Sequence, residues 1–180
     1  MKKVVVEKYN PEWKDWYQEL KTQIWPLVFK DALKIEHVGS TSVEGLSAKP
    51  RIDIDIIAKD SSSVQACILS LALLGYKHLG DLGIIGREAF SYESHKYDHN
   101  LYVCLEGADS LKNHLTLRDH LRLNEEDRTR YSEIKESLAL KFPENIDAYI
   151  DGKTEFILSI LEKYDFDSLA IDSIKSANKI

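Results

Sequence analysis

The chain has 180 residues, of which 43% are hydrophobic and 30% are charged, and its formal net charge is −6 at pH 7. This length and composition predict one soluble domain over residues 1–180, with enough apolar side chains to bury a core. The negative charge argues against a broad nucleic-acid surface, and the longest nearly apolar run, 66–74, is about half a membrane span, so nucleic-acid and membrane partners are not expected.

The first third of the chain predicts two helices and three strands. Residues 4–6 are typical of a short edge strand, and Asn10 with Pro11 marks the start of a helix. Pro26 is expected to end or kink that helix near Trp25. Its apolar positions recur every three to four residues: Trp13, Trp16 or Tyr17, Leu20, Ile24 and Leu27. Strands are predicted at 34–38 and 51–58, with a turn between them that opens a short helix, because Thr41 and Glu44 fit a capping box.

The remainder of the chain predicts short strands followed by helices. Asp60 and the serines 61–63 cap a helix that Gly75 ends, with Val64, Cys67, Ile68, Leu71 and Leu74 on one face. Glycines punctuate residues 75–97, which indicates short strands joined by tight turns, and 97–105 is a further strand. Helices are predicted at about 111–123, 126–141 and 144–164. The fold is therefore expected to be α+β, a small mixed sheet packed with helices, with a helical part at about 110–166 and a polar tail at 167–180.

Cysteine usage and the N-terminal residues predict a cytoplasmic location. Cys67 and Cys104 are too few for a disulfide framework, and both lie in apolar stretches, so buried free thiols in a reducing compartment are expected. The N-terminus carries two lysines but no long apolar region, so no signal peptide is predicted.

Residues 37–56, HVGSTSVEGLSAKPRIDIDI, are the most informative run in the sequence. Asp53 and Asp55 alternate with isoleucines on a predicted strand, so both carboxylates project to one face while Ile52, Ile54 and Ile56 face the core. Adjacent carboxylates repel unless a cation lies between them, which predicts Mg²⁺ (or Mn²⁺) bound by Asp53 and Asp55. The turn at Gly39, with the hydroxyls of Ser40, Thr41 and Ser42, suits phosphate. The alternative is an acidic strand facing water after an ordinary polar turn.

The spacing of this run resembles the signature of the nucleotidyltransferase superfamily: Gly-Ser, twelve residues, then Asp-Ile-Asp-Ile. The run also resembles, more closely, the uncharacterised GrpB-like family within that superfamily. Further matching segments lie at 9–13, 114–122 and 149–157, so that the resemblance covers roughly residues 5–165. It implies a nucleotidyltransferase-like fold more firmly than an activity.

The resemblance also implies a third acidic ligand on a later strand, which falls at 98–103, DHNLYV. The GrpB-like pattern is rich in histidine there, and only His99 matches it, while Asn100 and Tyr102 stand where histidines are common. Asp98 could supply the acid, yet as neighbours on a strand Asp98 and His99 should face opposite ways. His99 is therefore either a site residue or a structural histidine.

Several cationic side chains are candidates for holding phosphate. Lys49 and Arg51 flank the aspartates, and Arg51 either pairs with Asp53 or binds phosphate. Arg118 lies on one helical stripe with His114 and Arg122, which either faces polyphosphate or is a solvated surface.

The last helix contributes a further candidate. Lys153 interrupts an apolar stripe, so it either snorkels to the surface or points into a cleft that Tyr149 could also line. His37 either reaches the cleft or is structural.

The sequence thus predicts a metal-dependent protein that transfers a nucleotidyl group from a nucleoside triphosphate to an unknown acceptor. The catalytic residues would be Asp53, Asp55 and His99. The nucleotide would be held by Gly39, Ser40, Thr41, Ser42, Lys49, Arg51, Arg118 and Lys153. Two alternatives remain open: a non-catalytic module that binds a nucleotide or phosphometabolite, and a phosphohydrolase that uses the same carboxylates with His37 or His99. The oligomeric state is also open.

Overall fold

The computed structural model describes residues 3–93, 95–164, 166 and 171. Its helices and strands follow one another in an α-β-β-α-β-β-β-α-α-α order. They are α1 (Glu12–Val28), β1 (Ala32–Val38), β2 (Ile52–Ala58), α2 (Ser61–Ala72), β3 (Lys77–Gly80), β4 (Arg87–Ser91), β5 (His99–Leu105), α3 (Asp109–Leu123), α4 (Glu125–Lys141) and α5 (Ile146–Leu161). Short 3₁₀ helices occur at Ser40–Ser42 and Glu162–Tyr164.

The five strands form one mixed sheet in the order β1-β2-β5-β4-β3. Strands β2 and β5 pair in parallel, and the other neighbouring strands are antiparallel. Strand β2 is therefore an interior strand, with β1 on one side and β5 on the other. Its isoleucines at 52, 54 and 56 are fully buried in the main core, as the alternation predicts.

Helix α1 covers one face of this sheet and confirms the predicted apolar spacing with one change. Of the two alternatives Trp16 and Tyr17, Tyr17 is the buried residue, and Val28 takes the position predicted for Leu27. The helix does not end near Trp25 but continues to Val28 with Pro26 inside it. At its start the Asn10 side chain accepts a hydrogen bond from the Glu12 backbone N–H at 3.0 Å, which is the predicted capping role.

Two local predictions in the first third are wrong. Residues 4–6 do not form a strand, and this segment contributes only an isolated bridge between Glu7 and Ala48. The predicted capping box is also not formed. The Thr41 hydroxyl donates to the Arg51 carbonyl, and Glu44 forms an ion pair with Lys14 at 2.8 Å, so neither side chain caps a helix.

The helical C-terminal third builds a second core beside the sheet. Leu121 of α3, Tyr131 of α4 and Ile160 of α5 are buried together there with Val43 and Leu46 from the segment after the turn. Within the described residues no helix is long and apolar enough to cross a membrane. Cys67 and Cys104 are buried and unpaired. The predicted polar tail at 167–180 lies outside the described residues, apart from position 171.

Candidate functional site

Gly39 is required at the turn because two constraints act on it together. Its backbone angles are φ +67° and ψ −175°, a region that is essentially restricted to glycine. A Cβ atom built on Gly39 would lie 2.1 Å from Oδ2 of Asp53. The absence of a side chain therefore allows the turn to approach the Asp53 carboxylate on β2. Ser40, the next residue, lines the same cavities as Asp53.

The other two hydroxyls of the turn are used inside the protein. The Ser42 hydroxyl donates to the Gly39 carbonyl at 2.6 Å. The Thr41 hydroxyl has one proton, which it donates to the Arg51 carbonyl, so it accepts from Nε2 of His37 at 3.0 Å. Only Ser40 is left with a hydroxyl that lines the neighbouring cavities without such a bond.

His37 is a structural histidine and does not reach the cleft. Its ring stacks on Tyr17, with 4.6 Å between the ring centroids, and 8% of the residue is exposed. Burial, reinforced by the charges of Arg122 and Arg118, lowers the pKa of His37 to about 3. The ring therefore stays neutral and braces the turn through Thr41.

Asp53 and Asp55 share one face of β2, as the alternation predicts, but their environments differ. Asp53 lines the cleft, and its Oδ1 accepts a hydrogen bond from Nδ2 of Asn100 at 2.6 Å. Burial raises the pKa of Asp53, against the lowering effects of Asn100 and His114. Asp55 has no exposed surface, so of the two carboxylates that are predicted to bind the cation, only Asp53 lines the cleft.

Asp55 is covered by a histidine from helix α3. Nδ1 of His114 lies 2.8 Å from Oδ2 of Asp55. Burial disfavours the charged His114 ring, but the charge of Asp55 and the hydrogen bond to it, with a contribution from Asp53, outweigh burial and raise the pKa of His114. The second oxygen, Oδ1 of Asp55, is buried without a hydrogen-bond partner.

The prediction that His99 reaches this cleft is wrong, and the register of the sheet explains why. His99 pairs with Ile52, so its side chain shares the face of the core isoleucines, where Nε2 lies 2.7 Å from the Tyr76 hydroxyl. Asn100 is the residue that pairs with Asp53, and Tyr102 pairs with Asp55. The position beside the carboxylates is therefore occupied by an amide and a phenol rather than by a third acid.

Three lysines line the cleft, and each lies against the ring of a buried tyrosine. The ammonium groups of Lys49 and Lys153 each lie 5.5 Å from the centroid of the Tyr149 ring. Lys135 of α4 is 2% exposed, and its Nζ has no hydrogen-bond partner but lies 4.5 Å from the centroid of the Tyr131 ring. In the described part of the chain, none of these lysines forms an ion pair with a carboxylate.

Burial lowers the pKa values of these three lysines. Burial, followed by the charge of Lys49, lowers the pKa of Lys153 to about 8. Burial, with Lys153 as the next cause, lowers the pKa of Lys135 well below its ordinary value. Burial and the charge of Arg51 lower the pKa of Lys49. These cations are held close together inside the fold, which is typical of a site that receives an anion.

Unlike the three lysines, Arg51 and Arg118 form ion pairs with carboxylates of the protein. Arg51 pairs with Asp98 at 2.9 Å and not with Asp53. Arg118 binds Glu36 at 2.8 Å and also contacts Asp119 and the His37 carbonyl. Arg118 still lines a cavity, but two carboxylates already share its charge, so its primary contacts hold α3 against β1.

The site consists of two adjoining cavities that share Ser40, Asp53 and Lys153. The first, called here the lysine cavity, has a volume of about 130 Å³ and is also lined by Lys49, Arg51, Asn100, Lys135 and Tyr149. The second, called here the histidine cavity, has a volume of about 190 Å³ and is also lined by Gly39, His114, Leu117, Arg118 and Tyr131. The predicted residues Gly39, Ser40, Lys49, Asp53 and Lys153 are thus brought together.

The chemistry of the donors fits a single hard cation. Asp53 faces both cavities, and the unpartnered Oδ1 of Asp55 is a buried anionic oxygen that a cation would satisfy. Mg²⁺ commonly uses one or two carboxylates and completes its shell with water and phosphate oxygens. The described residues contain no cluster of three or more His, Cys, Asp or Glu side chains that could hold a metal, so a three-carboxylate centre is not formed.

Sequence reasoning missed Lys135 and left His114 and Asn100 without a role. His114 was visible only as one member of a polar helical stripe, and Asn100 only as a departure from a family pattern. Lys135 gave no signal, because α4 is polar along most of its length and a lysine there resembles its solvated neighbours.

Comparisons with known proteins identify a family and individual relatives that are similar to this chain in sequence. A family model described as "GrpB protein" matches residues 3–163. The chain is 31% identical over 156 residues to UPF0157 protein YqkA of Bacillus subtilis, covering 87% of this chain and 46% of that protein. It therefore spans less than half of that relative's length. It is 28% identical over 165 residues to Glutamate-rich protein GrpB of Alkalihalophilus pseudofirmus, covering 89% of this chain and 95% of that one.

A solved structure has the same architecture. The crystal structure of conserved protein GrpB from Enterococcus faecalis superposes with a TM-score of 0.78 at 29% sequence identity, covering 96% of this chain and 99% of that one. The α+β fold predicted from the sequence is confirmed by this match and by the mixed five-stranded sheet.

Proposed function

The chain belongs to the GrpB protein family, and from this membership and the geometry of the cleft we propose that it is a metal-dependent nucleotidyltransferase. The observation that carries the proposal is the convergence of Lys49, Lys135 and Lys153, without carboxylate partners, on a cavity that also contains Asp53. Such a cavity suits a polyphosphate chain. The adjoining carboxylates suit the cation that accompanies a nucleoside triphosphate.

Each residue of the cleft has a distinct task in this proposal. The three lysines neutralise the β- and γ-phosphates, and Ser40 donates a hydrogen bond to them. Gly39 keeps the turn against Asp53, so that the α-phosphorus lies beside the carboxylates. Asp53 and Oδ1 of Asp55 would hold Mg²⁺ (or Mn²⁺). When bound, that ion supplies charge stabilisation at the transferred phosphoryl group and orients the triphosphate.

His114 is positioned to accept the acceptor's proton. Its Nδ1 is bound to Asp55, which fixes the ring and stabilises the imidazolium that forms, leaving Nε2 for the histidine cavity. The acceptor oxygen forms a bond to the α-phosphorus, and the bond from that phosphorus to the bridging oxygen breaks. The proton passes to His114, and pyrophosphate leaves with the electron pair. The acceptor itself is not identified by these contacts.

Pyrophosphate release from Mg²⁺-nucleoside triphosphates tests this proposal. The informative variant is Asp53→Asn, which keeps the hydrogen bond from Asn100 but removes the charge. Its matched control is Asp147→Asn, at an exposed position on α5. We expect release to fall by at least about 100-fold in Asp53→Asn, as for the loss of one preorganised electrostatic group, and to be unchanged in the control. Equal rates in all three proteins, or release of orthophosphate instead, would contradict nucleotidyl transfer.

One observation favours a second function, a non-catalytic module that binds a nucleotide or phosphometabolite. Asn100 occupies the position beside Asp53 where a third acid is expected, and His114 seals Asp55 from solvent. In that case the triphosphate would bind with little benefit from Mg²⁺, and no pyrophosphate would form during long incubation with varied acceptors. A pyrophosphate signal that Asp53→Asn abolishes would exclude this second function.

A further inference from the structure

A third depression, called here the apolar groove, opens beside the lysine cavity. It has a volume of about 600 Å³ and lies between residues 3–7, the segment at 49–51 and the start of α5. Its apolar lining includes Val5, Pro50 and Ile146. Val5 is 50% exposed and Ile146 is 40% exposed. The groove is therefore open to solvent and presents apolar side chains to it.

The wall formed by residues 3–7 is fixed to the rest of the protein at both of its ends. The Val4 N–H donates to the Pro143 carbonyl at 2.8 Å, and Glu7 pairs with Ala48 through two backbone hydrogen bonds of 2.9 Å. Between these two attachments Val4 is buried and Val5 faces outward. The groove is thus a formed feature of the fold and does not require the N-terminal segment to rearrange before a ligand enters.

The apolar groove and the lysine cavity share Lys49 and Arg51. Arg51 is held by Asp98, which also lines the groove, so this side chain stands at the boundary between the two spaces. The lysine cavity, at about 130 Å³, is smaller than the range of about 300–1,000 Å³ typical of pockets for organic ligands, whereas the groove lies within that range. The two spaces thus place a cationic region and an apolar region next to the same two side chains, Lys49 and Arg51.

We infer that the apolar groove binds the nucleoside of the same triphosphate whose phosphates occupy the lysine cavity. This inference rests on the proposed function, because it requires the polyphosphate to lie among the three lysines. A nucleobase is a planar, largely apolar group, and its contact with Val5, Pro50 and Ile146 would remove apolar surface from water. Lys49 and Arg51 would then lie beside the point where the nucleoside joins the phosphates.

The other neighbouring space is less suited to the nucleoside. The histidine cavity, on the far side of Asp53 and Lys153, contains the His114 ring and is smaller, at about 190 Å³. A group that accepts a proton is needed where the acceptor meets the α-phosphorus, and the His114 ring lines the histidine cavity together with Asp53. The acceptor therefore belongs in the histidine cavity and the nucleoside in the groove.

The test compares ATP with inorganic triphosphate, because only ATP carries a nucleoside. The variant is Ile146→Glu, with Ile146→Gln as a neutral counterpart. Ile146 is the first residue of α5, directly after the Asn145 cap, where an acidic residue is favourable for a helix, so the fold is expected to persist. The matched control is Leu140→Glu, which places the same charge at an 85% exposed leucine of α4. Binding of both ligands is measured by calorimetry with Mg²⁺.

We expect both Ile146 variants to lower the affinity for ATP at least about tenfold relative to the affinity for inorganic triphosphate. Leu140→Glu should leave the ratio of the two affinities unchanged. The ratio removes any general electrostatic effect of the added glutamate, because that effect acts on both ligands. If both ligands bind and the ratio is unchanged, the nucleoside lies elsewhere and the inference is overturned while the phosphate site stands. If the ratio is unchanged but pyrophosphate release is slowed, the groove binds the acceptor, which also overturns it. If the wild-type protein binds neither ligand, both the inference and the proposed function are wrong.

Discussion

Replacing Lys135 by methionine should stabilise the protein and weaken its binding of polyphosphate at the same time. Lys135 is 2% exposed and its ammonium group has no hydrogen-bond partner, which is an unfavourable state for a charged group. Methionine has a similar length and is a good helix former, so it fills the same space on α4 without that penalty. Lys135→Met therefore removes the effect of the buried charge on the free energy of unfolding while it keeps the packing of the side chain.

The magnitude follows from two opposing contributions. Removing an unsatisfied buried polar group is worth about 1–3 kcal/mol in proteins. The cation–π contact with the Tyr131 ring, whose centroid lies 4.5 Å from Nζ of Lys135, offsets part of this. We expect the free energy of unfolding to rise by about 1–2 kcal/mol, and the melting temperature by about 2–8 °C for a chain of this size.

The pH dependence provides a second measure of the same effect. The pKa of Lys135 in the folded protein lies below its ordinary value of 10.5, so the unfolded chain binds more protons between those two values. Stability therefore rises with pH in that window, and the penalty from Lys135 disappears as the pH approaches 10.5. The advantage of Lys135→Met over the wild-type protein should shrink accordingly.

Urea unfolding and titration with inorganic triphosphate test this prediction. The matched control is Lys141→Met, at an exposed position in the last turn of the same helix, where a change within about 0.5 kcal/mol is expected. Lys135→Met should lower the affinity for inorganic triphosphate by about tenfold or more, because a charge-assisted hydrogen bond is worth about 1.5–3 kcal/mol. A variant that is destabilised and binds inorganic triphosphate like the wild type would show that Lys135 is structural, and the reasoning would be refuted.

Two further predictions concern the turn. Gly39→Ala should lower the free energy of unfolding by about 1–3 kcal/mol and abolish triphosphate binding, because Asp53 must withdraw by about 0.9 Å to reach the 3.0 Å that Cβ contacts respect. Gly107→Ala, where φ is also positive but nothing lies within 4 Å, should affect stability alone, and equal binding in both variants would contradict the account. The folded pKa of about 3 for His37 lies below its ordinary 6.5, so stability should fall as the pH drops below 6.5, by about 2 kcal/mol at pH 5. His37→Gln should flatten this slope in urea unfolding, and an unchanged slope would exclude His37 as its source.

The strands of this fold were predictable because their signals are local. The alternation of Asp53 and Asp55 with isoleucines predicted strand β2 and its two faces, and the observed β2 begins one residue later than predicted. The lysine in the cleft from α5 was also foreseeable, since Lys153 interrupts an apolar stripe. These features depend on period and spacing within one segment, which a sequence shows directly.

The errors arose where partners are distant in sequence. Whether His99 or Asn100 lies beside Asp53 depends on the register between β2 and β5, and one residue of shift exchanges the two faces of a strand. The loss of the capping box has a similar origin, because Thr41 binds the Arg51 carbonyl on the far side of the turn. The burial of Lys135 depends on tertiary packing, because α4 places it in the cavity that Lys49 and Lys153 also line.

The charges of the cleft give a physical reason for expecting a ligand there. Burial is the main cause that lowers the pKa values of Lys49, Lys153 and Lys135. A neighbouring cation adds to it in each case: Arg51 for Lys49, Lys49 for Lys153, and Lys153 for Lys135. Asp53 is the carboxylate that faces them, and its own pKa is raised by burial, so it compensates them incompletely. A polyphosphate would satisfy all three lysines, and a cation bound with it would satisfy Asp53 and the unpartnered oxygen of Asp55. Opposite charges arriving together therefore fit this cleft better than either charge alone, which is why the triphosphate and Mg²⁺ should each strengthen the binding of the other.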